Sequence, residues 1–364
     1  RNFSMKILQL TYSLSSGGGE RFVVDLCNRL AQNDQNEVVL VTVLDDSNPF
    51  WMHYRQDLSN KVRFISLHCR KGVSFKSIWK VYRIIAREKA DVVHAHCNLI
   101  MLYIPAIFCR ESKFVHTLHN IASYCLGAMY RRPINRWLYN KKVKPVTISD
   151  ECDKSFDALY GLNTSICIIN GREPLVVKPS FKPDVILQQD YPVFIHVARC
   201  TPQKNQPRLF RAFDRLYTDG VKFELMCLGY GYDEYAEYYK GHTQIHIVGE
   251  RKNVGDYMNL ADYFVLSSDF EGLPLTLLEA MSIGITPIST PAGGVVDVIK
   301  DGVNGYMTKG FDDDEFYQKI KTVIEMKGAL SPDVIRRDYR VNYSMQNCAE
   351  KYYLLYKQLL ASKK

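Results

Sequence analysis

Short runs rich in Val, Ile and Leu alternate along nearly the whole chain with stretches of helical spacing, and this alternation limits the fold more than any one motif. Strands are read at 6–10, 38–43, 62–67, 91–96, 113–119, 145–149 and 166–169, and again at 193–198, 223–228, 245–248, 263–266 and 286–289. Between them Phe22, Val23, Leu26 and Leu30 repeat at helical spacing, as do residues 77–88, and a last amphipathic helix is expected over 343–360. The pattern predicts α/β architecture with parallel sheets covered by helices on both faces. Ligands in such sheets gather past the carboxyl ends of the strands, so the residues just after each run are the candidates for function.

At 364 residues the chain is too long for one ordinary core, and two domains are expected. Pro174, Pro179, Pro183 and Pro192 punctuate a linker over 173–192, which leaves a first domain at 1–172 and a second at 193–342. Arg1–Ser4 precede the first strand. The longest apolar run, Leu99–Phe108, contains Pro105 and falls short of the ~18 residues of a membrane-spanning helix. Ten scattered cysteines without a C-x-x-C pair support neither a zinc site nor a redox motif, and a reducing cytoplasm is expected. Charge is uneven: residues 1–170 hold 23 Lys/Arg against 14 Asp/Glu, and the remainder 24 against 25. The first half should therefore meet an anionic partner.

Several stretches carry candidate chemistry. Gly17, Gly18 and Gly19 lie between a strand and a helix, where three glycines allow positive φ and close approach of a ligand to the backbone. The loop is neither a dinucleotide fingerprint nor a P-loop. His96, His119 and Ser149 fall at strand ends, with His116 inside its strand. Arg199 and Lys204 directly follow a strand, where a guanidinium fork and an ammonium would suit a phosphate; salt bridges to nearby acids are the plainer reading. Over 130–144, Arg131, Arg132, Arg136, Lys141, Lys142 and Lys144 interleave with Tyr130, Trp137 and Tyr139. This is either a solvated basic face or a patch for an anionic membrane surface; no nucleic-acid motif accompanies it. The stretch 267–284 is the densest. A buried strand runs into Ser267-Ser268-Asp269, read as a turn and N-cap cluster, then Glu271-Gly272-Leu273-Pro274-Leu275 and an apolar helix carrying Glu279. Free N–H groups at that helix start would favour an anion. A capping acid and a solvated helix acid would give the same spacing, but the apolar neighbours of Glu279 argue for a buried carboxylate with a hydrogen-bonding partner.

The two glutamates separated by seven residues, followed by G-I-T-P-I-S-T-P-A-G-G, resemble the E-x7-E signature of retaining glycosyltransferases of family 4, the group 1 glycosyltransferases. Arg199 and Lys204 are similar to that family's G-R-x4-K element, with Ala198 in place of the usual Gly. The 113–119 segment resembles its strand ending in a histidine near the donor sugar, which maps onto His119; Asn120 stands where the family often has Asp. The resemblance implies a GT-B fold: two Rossmann-like domains facing across a cleft, with the helix over 343–364 crossing back to the first. It implies transfer of a hexose from a UDP- or GDP-linked donor to a hydroxyl of a glycan or lipid-linked acceptor, as in bacterial surface polysaccharide or glycolipid synthesis. Glu279 would hold the ribose, Glu271 the donor hexose, Arg199 and Lys204 the diphosphate, and Gly272–Leu275 the developing charge, while Gly17–Gly19 would lie near donor phosphates and acceptor. No metal or other cofactor is expected. A cytoplasmic enzyme, peripheral on the inner face of the membrane, would fit this acceptor class. Rival readings are a catalytically silent nucleotide-sugar-binding partner, a nonhydrolysing epimerase or phosphorylase of the same fold, and a two-Rossmann oxidoreductase, which lacks its fingerprint here.

Overall fold

The computed structural model describes residues 5–362 apart from Gly127, Pro179 and Ala329, so Arg1–Ser4 and Pro179 of the expected linker lie outside the described residues. Two units separate by their internal packing. One runs to Arg172 and resumes at Met345; the other is Glu173–Ser344.

The first unit is built on seven parallel strands: β1 (Met5–Thr11), β2 (Asn36–Leu44), β3 (Val62–Cys69), β4 (Val92–Ala95), β5 (Lys113–Leu118), β6 (Val143–Thr147) and β7 (Ile166–Cys167). Their order is β3-β2-β1-β4-β5-β6-β7, which reverses between β1 and β4. The central strands are apolar on both faces because helices cover both: Val38, Val39, Leu40, Val41 and Val43 of β2 are all buried. The helices are α1 (Gly18–Leu30), α2 (Phe75–Glu88), α3 (Pro105–Phe108), α4 (Ala122–Leu126), α5 (Arg132–Lys141) and α6 (Asp150–Tyr160). Helix α2 starts ahead of the expected residue 77, because Ser74 and Ser77 form a reciprocal capping box. Ser149 accepts the Cys152 N–H and so caps α6; its place at a strand end is structural.

The second unit has six parallel strands, β8 (Val193–Val197), β9 (Glu224–Leu228), β10 (Ile245–Gly249), β11 (Tyr263–Leu266), β12 (Thr286–Ser289) and β13 (Tyr306–Met307), in the order β10-β9-β8-β11-β12-β13. Around it lie α7 (Gln206–Thr218), α8 (Asp233–Tyr238), α9 (Val254–Met258), α10 (Leu275–Ile283), α11 (Asp313–Glu325) and α12 (Pro332–Asn342). Its core stacks Phe194 on Tyr263 and sets Phe213 edge-on to Phe194 and Phe223. The strand order reverses between β8 and β11, the two strands that precede Arg199 and Ser267. Both units thus have the doubly wound form in which loops at a switch point hold ligands.

The helix expected over 343–360 begins later, as α13 (Met345–Ala361). Tyr343 belongs to the second unit, where its hydroxyl donates to the Asp297 carbonyl at 3.2 Å. Helix α13 is part of the first unit: its first N–H donates to the Arg172 carbonyl at 3.0 Å, and Tyr352 and Tyr356 are fully buried. Arg172 itself is buried against the Asp25 carboxylate of α1, which also pairs with Arg21 at 2.9 Å.

Candidate functional site

In the second unit the loops after β8 and β11 are tied together by polar side chains. Ser267-Ser268-Asp269 does not cap α10, which begins six residues later, after Pro274. Ser267 and Asp269 instead bind the β8 loop. Ser267 Oγ donates to the Lys204 carbonyl at 2.9 Å, and the Asp269 N–H donates to the Gln203 carbonyl at 2.9 Å. The Asp269 carboxylate accepts from Asn205 Nδ2 at 3.0 Å and from Arg208 at 2.6 Å. Over this frame Lys204 and Glu271 form an ion pair, and Ser268 Oγ donates to the same Glu271 oxygen at 2.6 Å. Two residues assigned from sequence to neighbouring parts of one ligand therefore meet directly.

The two glutamates exchange the environments expected of them. Glu271 is 5% exposed, whereas Glu279 is only partly buried although Leu277, Leu278, Ala280 and Met281 around it are buried. The apolar neighbours belong to the rest of a helix that is hydrophobic all round, and Glu279 occupies its least covered line. The expectation of a buried carboxylate at 279 is thus corrected; the buried acid is the one outside the helix. Gly272 is held by its carbonyl, which accepts the Gly294 N–H at 2.9 Å and so joins the turn before α10 to the glycine loop after β12. Leu273, Pro274 and Leu275 are buried and lead into α10, whose first two N–H groups precede its first bond, from the Leu277 N–H to the Pro274 carbonyl at 3.1 Å. Arg199 is exposed. Its loop is fixed by Gln206, which donates to the Arg199 carbonyl at 3.0 Å, and by Gly229 at φ +141°, where a Cβ would stand 1.9 Å from the Ala198 carbonyl oxygen.

In the first unit Gly17, Gly18 and Gly19 all avoid positive φ, contrary to expectation. Gly17 and Gly19 serve close approach instead. A Cβ on Gly17 would come 2.2 Å from the Glu20 carboxylate, which folds back over the start of α1 and accepts from Ser15 Oγ at 3.3 Å. The helix start read as an anion site is thus covered by the chain's own anion. A Cβ on Gly19 would touch the His119 ring at 3.8 Å, and Phe22 sets its ring edge against His119 with centroids 5.4 Å apart. Burial pushes the His119 pKa down to about 4, with the charge of nearby His116 acting the same way. His119 Nε2 lies 3.0 Å from His96 Nδ1, so the two strand-end histidines are one pair. His116 is structural, bridging Tyr139 Oη and the Cys97 carbonyl at 2.8 Å each. Asn120 accepts the Ile121 N–H at 2.8 Å.

The basic stretch divides. Arg132, Arg136 and Lys144 donate to the carbonyls of Leu159, Tyr160 and Thr164, at and just beyond the end of α6, which explains three of the six cations as helix-end ligands. Arg131 stacks over Tyr130, and Lys141 and Lys142 are exposed, as is Trp137. Asp312 caps α11 while Asp313 and Asp314 pair with Arg208, Arg211 and Arg215, so that acidic run is structural. Among the described residues one group has metal-ligand spacing, Asp45, Asp46 and His68, exposed in the first unit.

Sequence reasoning missed Ser268, Glu20, Gln9 and His196. Ser268 stood in a run read as a cap. His196 lies within β8, with Nδ1 donating to the Val265 carbonyl at 2.8 Å, Nε2 buried without a partner, and a pKa lowered by burial to about 4. Nothing local in a strand distinguishes such a residue from core.

Comparison with known proteins agrees with this arrangement along the chain. A family described as "Glycosyltransferase Family 4" matches residues 16–171, and "Glycosyl transferases group 1" matches 177–340. The chain is 27% identical over 327 residues, 82% of either chain, to the UDP-Gal:alpha-D-GlcNAc-diphosphoundecaprenol alpha-1,3-galactosyltransferase of Escherichia coli. It is 26% identical to the N-acetyl-alpha-D-glucosaminyl L-malate synthase of Bacillus anthracis over 63% of this chain and 64% of that one. In fold it is similar to a glycosyltransferase from Rickettsia africae (TM-score 0.81, 17% identity, all of both chains). It is likewise similar to Anabaena HepE in complex with UDP and glucose (TM-score 0.77, 19% identity, 97% of this chain and all of that one).

Proposed function

The chain belongs to the group 1, family 4 glycosyltransferases, and from that premise we propose that it moves a hexose from a nucleoside diphosphate sugar to a hydroxyl of a lipid-linked glycan, with retention at the anomeric carbon. The observation that carries the reading is the Lys204–Glu271 pair. A cation and a nearly buried acid are held against each other on a rigid strand-end frame, beside the start of α10, ready to exchange their mutual contact for phosphate and sugar hydroxyls. In the proposed reaction the bond from the sugar C1 to the phosphate oxygen breaks, and the acceptor oxygen bonds to C1 on the face the phosphate leaves. The acceptor proton passes to an oxygen of the departing phosphate. Charge grows on the diphosphate as it leaves; Arg199, Lys204 and the N–H groups of Gly272, Leu273 and Leu275 stabilise it there. These groups supply the positive charge that a metal would otherwise bring, so turnover is proposed to be metal-independent. Glu279 is assigned to the ribose, Glu271 to the hexose, and His119 to a sugar hydroxyl near C1. Uridine is favoured over guanosine, because the Escherichia coli relative is named for UDP-Gal and HepE holds UDP.

The lipid-linked acceptor has support in the first unit. Residues 70–144 carry 15 Lys/Arg against three Asp/Glu, a larger surplus than the whole chain's +8. In the same region Phe75 (74% exposed), Phe108 (65%) and Tyr130 (75%) stand out into solvent. Phe75, Trp79, Tyr82 and Phe108 form a ladder of ring contacts along α2 and α3. Aromatics among cations suit the headgroup layer of an anionic bilayer, and peripheral attachment through this face is proposed. A thermal-shift titration with UDP-, GDP- and ADP-sugars tests the donor assignment: the matching donor raises the melting temperature, and no shift from any of the three overturns it.

A further inference from the structure

Beneath His119 runs a polar chain that the donor-side account leaves unused. Gln9 of β1 is fully buried at its centre. Its Nε2 donates to Tyr356 Oη of α13 at 3.2 Å, and its Oε1 faces His96 Nε2 at 2.8 Å. An amide oxygen only accepts, so His96 carries its proton on Nε2. His96 is neutral, its pKa held well below the usual histidine range by burial and by His94, so its Nδ1 is bare. That bare nitrogen faces His119 Nε2 at 3.0 Å and accepts its proton. His119 is neutral too, which leaves its Nδ1 as a lone pair. The other arm follows from the same amide orientation. Tyr356 Oη, having accepted from Gln9, donates to His94 Nδ1 at 2.6 Å, and His94 Nε2 then donates to Thr117 Oγ1 at 2.7 Å. The orientation of one amide thus sets the tautomers of His94, His96 and His119 and the direction of the Tyr356 hydroxyl.

We infer that Gln9 is a positioning residue which, through His96, holds His119 in the Nε2–H tautomer, so that His119 offers Nδ1 as a hydrogen-bond acceptor to a hydroxyl of the transferred sugar. The sugar contact rests on the role assigned to His119 above; the tautomer does not. The selectivity follows. A hydroxyl donates to Nδ1, whereas a donor analogue with fluorine at that carbon presents no proton and meets lone pair against lone pair. A donor-presenting histidine would tolerate both.

The test has two arms. In the first, two-bond proton–nitrogen spectra of the free protein, labelled with nitrogen-15 in its nine histidines, report the tautomer directly. The His119 signals are assigned by their loss in His119→Asn. The expected result is Nε2–H at both His96 and His119. Nδ1–H at either, or an averaged signal, overturns the inference whether or not the protein turns over sugar. In the second, Gln9→Met removes the acceptor and Gln9→Glu restores it. Gln9→Met is expected to average the His119 tautomer and lower kcat/KM for the donor about tenfold at unchanged acceptor KM, with Gln9→Glu recovering both. A wild-type tautomer in Gln9→Met, or no change in kcat/KM, overturns the positioning role. Loss of all activity in wild type with the expected spectrum would refute the sugar reading and leave the tautomer standing.

Discussion

Replacing Lys204 by Met separates the two jobs of the Lys204–Glu271 pair. Glu271 is 5% exposed and is met by Lys204 and by the Ser268 hydroxyl. Removing the ammonium leaves a nearly buried carboxylate with one hydroxyl donor, a loss on the order of 3 kcal/mol. The value sits at the low end for buried pairs because the Lys204 side chain keeps 19% exposure and water can reach the vacated end. Glu271→Gln alone costs about 1 kcal/mol, since the amide oxygen still accepts from Ser268. In the double variant no uncompensated charge remains, and the cycle should return a coupling of about 2 kcal/mol. Turnover behaves differently. Lys204 is needed where charge grows on the leaving diphosphate, so Lys204→Met and the double variant both lose about 100-fold or more in kcat. Urea unfolding followed through hydrogen exchange of peptides in 193–300 gives the stabilities, and release of nucleoside diphosphate gives the rates. Additive stabilities would refute the ion pair, and recovered turnover in the double variant would refute the diphosphate role.

Acid should weaken the first unit before the second. His94, His96, His116 and His119 stay neutral there, while the second unit holds His196 in that state and His242 is lowered by burial against the opposing charge of Asp214. Between the unfolded pKa of about 6.5 and the lowered folded values, the unfolded chain binds protons that the folded one does not, so stability falls as pH falls through that window. From pH 7 to 5.5 the loss is about 1.2 kcal/mol per histidine, which hydrogen exchange resolved by unit would read; simultaneous loss in both units contradicts it. Cosedimentation with anionic vesicles should occur at low salt, weaken at high salt and fall further in Phe75→Ser/Phe108→Ser; no binding at low salt refutes the membrane face. Gly229→Ala should destabilise the second unit by about 2–4 kcal/mol, because the Cβ meets the Ala198 carbonyl at a φ that L-residues avoid, and should weaken donor binding through the displaced Arg199 loop. An unchanged melting point and donor affinity would count against that coupling.

The alternation of apolar strands and helices was enough to read two parallel α/β units, because a strand buried on both faces leaves a continuous hydrophobic run such as Val38–Val41. The E-x7-E stretch and the Arg199/Lys204 element were legible as spacing. Which acid is buried was not. The neighbours of Glu279 in sequence are apolar whichever line of the helix it occupies, and the burial of Glu271 comes from Lys204 and Ser268 folding over it. The Gln9 network was invisible for another reason: its members lie on or just after β1, β4 and β5 and on α13, and only the sheet order and the packing of α13 bring them together. Ser267–Asp269 misled because residues that cap a helix also cross-link loops, and local sequence does not say which.

Helix α13 gives the first unit a wall made from residues that are synthesised after the whole of the second unit. Until they emerge, the side chains of Gln9 and His94 lack the Tyr356 hydroxyl, Thr117 lacks that of Tyr352, and the apolar back of α1 lies bare. The second unit is one continuous stretch, so during synthesis the unit begun earlier is completed after the other. Removing α13 would therefore be felt at β1, where Gln9 lies 347 positions before the Tyr356 it bonds.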